Sequence, residues 1–255
     1  MDNVSVIIIT KNEVANIANC IECARLISNN IIVIDSGSTD ETVKIAKRCG
    51  AEIIVVPWQG YGFARNSGAK IALHDWILAI DADERVTEKL ANEIKEISNV
   101  DASVVYGFRR ENYYLGKHIK FGEWGRDKVY RLYNRNKVTW DLSPVHEDLM
   151  GQNIVKKVLK SKAKHFTVIT HEQDIEKVNR YALLSAEKLY KQNKKSTFIK
   201  RFLSPVFNFL QSYVLRLGFL DGKPGLMIAI STMRYVWLKN KILYGFNKNN
   251  GALVD

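Results

Sequence analysis

Through the first hundred residues, short runs of β-branched residues alternate with amphipathic helical patterns. This alternation is typical of a parallel sheet, because parallel neighbours must be joined by long crossover connections that are usually helices. The chain is therefore expected to form an α/β fold with a Rossmann-like, mainly parallel central sheet flanked by helices. The predicted strands span residues 4–10, 31–35, 52–56 and 76–81, and the predicted helices span residues 16–27, 41–49 and 63–73.

Helix-end signals support these assignments. Ser38 and Glu41 have the spacing of a capping box at the start of the second helix. Gly50 stands where that helix would end in a left-handed conformation. Thr87 is the predicted N-cap of a further helix with an apolar face.

Beyond residue 103 the pattern changes to strand-like segments separated by loops that contain glycine. The predicted strands span residues 104–109, 128–133 and 164–168, and a helix is expected at residues 174–192. This later part of the chain has no regular strand and helix alternation.

The C-terminal part is both basic and apolar. Residues 188–255 contain 12 Lys and Arg against only Asp221 and Asp255, and they carry nearly all of the net charge of +11. The longest uncharged stretch here has 14 residues, which is fewer than the roughly 18 that a membrane-spanning helix requires. We expect basic amphipathic helices on a membrane surface, with packing on the α/β domain or a second subunit as the alternative, and no nucleic-acid partner.

The three cysteines, Cys20, Cys23 and Cys49, are an odd number in a long chain, which argues against a disulfide framework. Cys20 and Cys23 fit one face of the first helix better than a zinc site, since no further thiol or histidine pair completes a ligand set. The N-terminus lacks a positively charged segment followed by a long apolar run. A cytoplasmic protein, peripheral on the inner face of the cell membrane, is expected.

Polar residues follow the predicted strands at the edge where open α/β sheets bind ligands. The fourth strand ends in Asp81-Ala82-Asp83, and carboxylates two residues apart on an extended chain point the same way. A divalent Mg²⁺ or Mn²⁺ ion would relieve their repulsion and bind phosphate oxygens. The alternative is a solvated acidic turn.

Two further residues strengthen a nucleotide-binding interpretation. Asp35 ends the second strand, where its carboxylate can accept hydrogen bonds from a ribose or a base, or instead cap the next helix. Arg65 follows the Gly60-Tyr61-Gly62 segment and can bind phosphate together with a helix N-terminus, or remain solvated at the surface.

The segments Ser-Val-Ile-Ile-Ile-Thr-Lys-Asn-Glu, Ile-Val-Ile-Asp-Ser-Gly-Ser-Thr-Asp-Glu-Thr and Trp-Ile-Leu-Ala-Ile-Asp-Ala-Asp-Glu occur in this order. The succession resembles family 2 glycosyltransferases of the GT-A fold, and more narrowly it is similar to the lipopolysaccharide-core β-glucosyltransferase type. The resemblance covers residues 4–170 and continues more loosely at residues 218–223. It implies a nucleotide-sugar site, with Thr10, Asn12, Glu13 and Asp35 around the nucleoside, Asp81 near ribose and diphosphate, and Asp83 on the metal.

The resemblance also divides the chain. Residues 1–170 would form the catalytic domain, with 1–100 binding the nucleotide-sugar and 101–170 facing the acceptor. Residues 171–255 would form a helical extension that binds a membrane or mediates oligomerisation. An inverting transfer needs a carboxylate base, for which Glu147 in Val145-His146-Glu147-Asp148 is preferred and Asp148 is the reserve.

The remaining candidate site residues are assigned from their positions in the order of the family motifs. His165 resembles a residue that approaches the metal or acceptor, and Asp81 is a second candidate ligand. Trp124, Arg131 and His146 are expected on the acceptor side. Ordinary packing or solvation is the alternative for each of these histidine, tryptophan and arginine side chains.

The expected function is metal-dependent transfer of a sugar, glucose from UDP-glucose by resemblance, to a glycan or glycolipid of the cell envelope. A Rossmann dehydrogenase shares the α/β pattern, but no G-x-G-x-x-G follows the first strand. A non-catalytic membrane-surface adaptor built on a transferase-like domain is the alternative. The intact acidic motifs favour the enzyme.

Overall fold

The structure is a computed structural model that describes residues 1, 3–98, 100–143 and 147–249. Within these residues the chain forms eleven strands and seven α-helices. The strands are β1 Val4–Thr10, β2 Ile31–Asp35, β3 Glu52–Val55, β4 Trp76–Asp81, β5 Glu84–Arg85, β6 Val104–Tyr114, β7 Lys117–Ile119, β8 Lys128–Asn134, β9 Thr139–Trp140, β10 Leu149–Met150 and β11 Val155–Val168. The helices are α1 Ile17–Ala24, α2 Thr42–Arg48, α3 Tyr61–Ile71, α4 Glu88–Lys95, α5 His171–Lys191, α6 Phe198–Leu210 and α7 Lys223–Lys248.

The chain divides into two compact units. The first comprises Met1–Glu111 and Lys128–His165, and the second comprises Asn112–Asp127 and the chain from Phe166 onward. This division differs from a single boundary at residue 170, because residues 112–127 belong with the C-terminal helices. Asp221 illustrates the reason, since its carboxylate accepts hydrogen bonds from the backbone N–H groups of Lys120 and Phe121, at 3.1 and 2.8 Å.

The first unit contains the predicted α/β sheet, whose strand order is β3-β2-β1-β4-β8-β6-β11-β5. The pairs β3-β2, β2-β1 and β1-β4 are parallel, as the alternation predicted. The pairs β4-β8, β6-β8 and β11-β5 are antiparallel. These parallel pairs thus join the first four strands, and these antiparallel pairs involve the later segments.

Strand β1 lies at the centre of the parallel part and is buried along its whole length. Alternate residues point to opposite faces, so Val6 and Ile8 enter one apolar cluster while Ile7 and Ile9 enter another. Helices cover both faces, which is why the strand is a continuous apolar run in the sequence. Because this strand is buried, its pairing register with the neighbouring strands is fixed. The polar residues that follow it are therefore held at a defined position at the sheet edge.

The helix-end predictions are partly confirmed. Gly50 adopts a positive φ of 72° after α2, and the Thr87 side chain accepts a hydrogen bond from the backbone N–H of Leu90 at the start of α4. The proposed cap at Ser38 is wrong. Its hydroxyl donates to Asp35 instead, while Asp40 accepts from the first backbone N–H of α2 at Thr42.

The cysteine prediction agrees with the structure. Cys20 is buried in α1, and burial raises the pKa of its thiol well above the usual value. Cys23 and Cys49 are half-buried, and all three thiols are free.

The second unit is mostly helical. Helix α5 begins three residues earlier than predicted because Thr170 and Gln173 form a capping box. The Asp174 carboxylate accepts hydrogen bonds from Tyr114 and Ser231, which joins β6, α5 and α7. None of the helices within the described ranges combines the length and the apolar composition that crossing a membrane requires.

Candidate active site

The carboxyl ends of three adjacent strands place predicted site residues side by side. In the parallel register, Thr10 of β1 pairs with Asp35 of β2, and Ile9 pairs with Asp81 of β4. The three ends therefore lie at one edge of the sheet, as the sequence predicted. The residues at these strand ends all belong to the first unit.

Asp35 organises the loop after β2. Its buried carboxylate accepts hydrogen bonds from the backbone N–H groups of Gly37 and Ser38, at 3.0 and 2.9 Å, and from the Ser38 hydroxyl. Gly37 has a φ of 85°, a conformation that favours glycine. Asp35 therefore holds a tight turn at the sheet edge.

The loops after β1 and β2 are joined by short hydrogen bonds. The backbone N–H of Asn12 donates to Ser38 Oγ at 2.9 Å, and Asn12 Oδ1 accepts from the Thr39 backbone N–H at 2.8 Å. The Glu13 backbone N–H donates to Thr42 Oγ1 at 2.8 Å. These bonds hold the predicted nucleoside-binding loops in one arrangement.

The hydroxyl of Thr10 is buried without a hydrogen-bond partner among the described residues. Buried hydroxyls are normally satisfied, so an unsatisfied one at a sheet edge indicates a position where a ligand atom can bind.

Asp81 lies between two arginine side chains. Arg65 Nη2 donates to Oδ1 at 2.7 Å, and Arg131 Nη2 donates to Oδ2 at 2.8 Å. Burial by itself would raise the pKa of Asp81, but the charges of Arg131 and Arg65 outweigh it and lower the pKa to about 2. Asp81 is thus a stable carboxylate, and both of its oxygens are engaged by guanidinium groups.

Arg65 also binds the predicted base. Its Nη1 donates to Glu147 Oε1, so a single guanidinium joins Asp81 to Glu147. The group is buried and lies 4.6 Å from the centre of the Trp140 ring. Burial alone would lower the pKa of Arg65, but the two carboxylates raise it above the ordinary value.

The helix that carries Arg65 starts earlier than predicted. α3 begins at Tyr61, so Arg65 lies in its second turn and its guanidinium reaches across to two strands instead of standing at the helix N-terminus. A side chain at Gly62 would overlap the carbonyl oxygen of Asp141. Glycine at this position therefore permits the close approach of α3 to the loop that precedes Glu147.

The structure distinguishes the two candidate bases. The Glu147 side chain is 12% exposed and faces Arg65, whereas the Asp148 side chain is 65% exposed. Asp148 pairs with Lys156, whose Nζ lies 2.9 Å from the Asp148 carboxylate. Glu147 thus joins the cluster that contains Asp81, and Asp148 faces away to an exposed lysine.

Asp83 and His165 form a second, adjacent pair. The distance from Asp83 Oδ1 to His165 Nε2 is 3.4 Å, and the side chains are 11% and 10% exposed. Pairing of β11 with β5 aligns His165 with Glu84, the residue after Asp83. The sequence placed these two residues 82 positions apart, and the antiparallel part of the sheet brings them together.

A carboxylate and an imidazole are suitable ligands for Mn²⁺, and a carboxylate for Mg²⁺. Within the described ranges no group of three or more His, Cys, Asp or Glu side chains is placed to hold a metal ion. Asp83 and His165 can therefore supply two ligand atoms, and phosphate oxygens and water would supply the others. Asp81 is not free to join them while Arg65 and Arg131 bind its carboxylate.

Sequence reasoning missed the residues that support Asp81. Glu84 is fully buried, and its Oε2 accepts a hydrogen bond from the Asp81 backbone N–H at 3.1 Å. Arg110 Nη1 donates to Glu84 Oε1 at 2.8 Å. Glu84 follows the acidic pair directly, but nothing in its local pattern indicates a buried carboxylate between arginines.

The three acceptor-side predictions have different outcomes. Arg131 binds Asp81, which was assigned to the diphosphate side. Trp124 lies in the second unit, where its ring packs edge-on against Tyr114 with centroids 5.7 Å apart. His146 lies outside the described residues.

Replacement of Arg65 is expected to destabilise the fold. In Arg65→Met the partly buried carboxylates of Asp81 and Glu147 lose a shared cation, and because Arg131 still binds Asp81 the expected cost is about 3 kcal/mol, the lower end for breaking a buried pair. Urea unfolding measures the change in the free energy of unfolding. The matched control is Lys44→Met, which removes an exposed pair with Glu41 and should cost less than about 1 kcal/mol. Equal destabilisation by the two variants would contradict this role of Arg65.

Comparisons with known proteins show the family of the chain. The sequence profile of Glycosyl transferase family 2 matches residues 5–158. An uncharacterized glycosyltransferase of Rickettsia typhi is 33% identical over 244 residues, covering 90% of this chain and 82% of the relative. The lipopolysaccharide core biosynthesis glycosyltransferase LpsC of Rhizobium meliloti is 28% identical over 248 residues, covering 94% and 91%.

A solved structure was also found: glucosyl-3-phosphoglycerate synthase of Mycobacterium tuberculosis in complex with Mn²⁺, UDP and glucosyl-3-phosphoglycerate. It is 23% identical, with a TM-score of 0.35 over 44% of each chain.

The α/β sheet with an acidic carboxyl edge and the matched profile define the class, a glycosyltransferase with the GT-A fold. Within this class, the chain belongs to glycosyl transferase family 2.

Proposed function

We propose that this protein is an inverting, metal-dependent glycosyltransferase that moves glucose from UDP-glucose to a glycan or glycolipid acceptor of the cell envelope. The observation that carries the proposal is the Arg65-centred cluster, in which one guanidinium joins Asp81 at the end of β4 to the recessed carboxylate of Glu147. The similarity to LpsC supports an acceptor from lipopolysaccharide core synthesis. Glucose and uridine follow from the resemblance of the strand-end motifs.

The nucleoside would bind between the loops after β1 and β2. Thr10 offers a hydroxyl without a partner among the described residues, and Asp35 lies beside it in the register. Asn12 and Glu13 belong to loops that are already hydrogen-bonded together, so binding would require little ordering of the chain.

The diphosphate would lie near Asp83 and His165, which are the proposed metal ligands. A bound Mn²⁺ or Mg²⁺ ion would neutralise the negative charge that develops on the departing nucleoside diphosphate. Arg65 and Arg131 add positive charge at the same edge of the sheet, and their guanidinium groups can donate to phosphate oxygens as they now donate to the Asp81 carboxylate.

Glu147 would act as the base. In a single displacement, the acceptor oxygen forms a bond to the anomeric carbon while the bond from that carbon to the phosphate oxygen breaks. The acceptor hydroxyl transfers its proton to the Glu147 carboxylate, and the leaving electron pair stays on the diphosphate. Arg65 positions Glu147 through its hydrogen bond. Attack opposite the leaving group inverts the configuration.

Calorimetric titration and donor hydrolysis test the proposal. UDP is expected to bind with Mn²⁺ present and much more weakly without it, and free glucose should be released from UDP-glucose faster than sugars are released from GDP- or TDP-linked donors. A preference for another nucleotide would change the donor assignment. Absence of binding by every nucleotide would instead support the non-catalytic adaptor.

A further inference from the structure

The outer face of α6 is apolar and exposed to solvent. Six of its apolar residues form two adjacent ridges. Within each ridge the residues are four positions apart, which places them on one side of the helix. Their exposed fractions range from 46% to 68%. The ridges consist of Phe198, Phe202 and Val206, and of Ile199, Leu203 and Phe207.

The opposite face of the same helix is covered. There the Arg201 guanidinium lies 4.1 Å from the centre of the Tyr244 ring, and α6 packs against α7 within the second unit. The helix therefore has its internal packing already satisfied on one side. The two outer ridges are not needed for that packing.

The chain after α6 continues the exposed apolar character. Leu215 is 70% exposed, and Val214, Leu217, Phe219 and Leu220 are each 44–53% exposed. Single exposed apolar residues are common, but a cluster of large ones within some twenty positions usually marks a surface that binds an apolar partner.

Basic residues accompany these apolar side chains. Lys194, Lys195 and Lys200 lie at or just before the start of α6, and Lys223 begins α7. Asp221, the one acidic residue between Gln192 and Asn249, is engaged by two backbone N–H groups of the same unit. Glu123 of the same unit pairs with Arg216, and residues 193–248 still carry ten basic side chains against Asp221.

We propose that the outer face of α6 is a docking surface for an anionic lipid bilayer. The aromatic and aliphatic ridges would enter the acyl boundary, and the lysines would contact phosphate headgroups. A second copy of the chain is a poorer occupant, because a symmetric pairing of this face would bring two strongly basic segments together. This surface is independent of the sugar-transfer chemistry.

Vesicle co-sedimentation of the full chain tests the docking surface. The vesicles contain phosphatidylcholine alone or phosphatidylcholine with one part in three phosphatidylglycerol. The wild-type protein should sediment with the anionic vesicles and much less with the neutral ones. The double variant Leu203→Glu with Phe207→Glu should lower the partition coefficient by about a hundredfold, since two inserted apolar groups are lost and like charges are introduced.

The matched control is the double variant Ile71→Glu with Leu73→Glu, which adds the same charges at exposed apolar positions of the first unit. It should sediment like the wild type. Circular dichroism and UDP binding should be unchanged in both double variants, which separates docking from folding and from transfer. Equal sedimentation of the Leu203 and Phe207 variant, or no sedimentation of the wild type, would overturn the proposal. A concentration-dependent dimer that only this variant dissociates, without vesicle binding, would assign the face to self-association instead.

Discussion

Glu147→Gln is expected to reduce kcat by about 10²–10⁴-fold while leaving UDP affinity nearly unchanged, because the loss removes a general base and not a donor contact. Glutamine keeps the shape of the side chain and its amide oxygen can still accept a hydrogen bond from Arg65. The fold should therefore persist. Steady-state transfer kinetics and calorimetric titration of UDP measure the two quantities separately.

The neighbouring carboxylate provides the control. Asp148→Asn removes a charge one residue away, but this side chain is largely exposed and paired with Lys156, so kcat should change less than about threefold. The opposite result, with Asp148→Asn inactive and Glu147→Gln active, would move the base by one residue. Because Glu147 is recessed beside Arg65 and Asp148 is exposed, that outcome would also require these two side chains to change position when the acceptor binds.

Asp83→Asn is expected to lower Mn²⁺-dependent transfer by about a hundredfold or more, since a metal at the diphosphate supplies several kcal/mol of charge stabilisation. Asparagine has nearly the same size as aspartate and remains able to lie beside His165, so the free energy of unfolding should change little. Electron paramagnetic resonance of Mn²⁺ in the presence of UDP gives a readout that does not depend on turnover. The bound fraction should fall in parallel with the activity.

The control for Asp83 is Glu41→Gln, which removes an exposed carboxylate from the surface pair with Lys44. It should leave both Mn²⁺ binding and transfer unchanged. Retention of UDP-dependent Mn²⁺ binding in Asp83→Asn would contradict the assignment of this residue. In that case Asp81 would have to release one of its two arginine partners to serve as the ligand.

Local patterns were sufficient for the parallel part of the fold and for the strand ends. Runs such as Val4–Thr10 bury both faces, so their apolar sequence is continuous and the first polar residue after each run marks the edge of the sheet. Thr10, Asp35 and Asp81 were found in this way. The left-handed position of Gly50 and the cap at Thr87 are equally local, since each depends on the backbone of a few neighbouring residues.

The partners of those edge residues could not be found in the same way. Arg65 meets Asp81 across 16 positions and Glu147 across 82, and Arg131 meets Asp81 across 50. Ser38 has the spacing of a helix cap, yet its hydroxyl binds the carboxylate of Asp35, which competes successfully for it. Which donor satisfies a buried carboxylate depends on the side chains that the folded chain brings near it.

The acidic edge that binds a nucleotide-sugar in the proposed function therefore follows from the order of residues along each strand, where periodicity and burial set the direction of every side chain. The separate roles of the carboxylates at that edge do not follow from the order of residues. Asp81 became the carboxylate held by two arginines, and Asp83 with His165 the pair suited to a metal, only through antiparallel strand pairing and the packing of α3. Those contacts are long-range, and their energies depend on burial that no local pattern encodes.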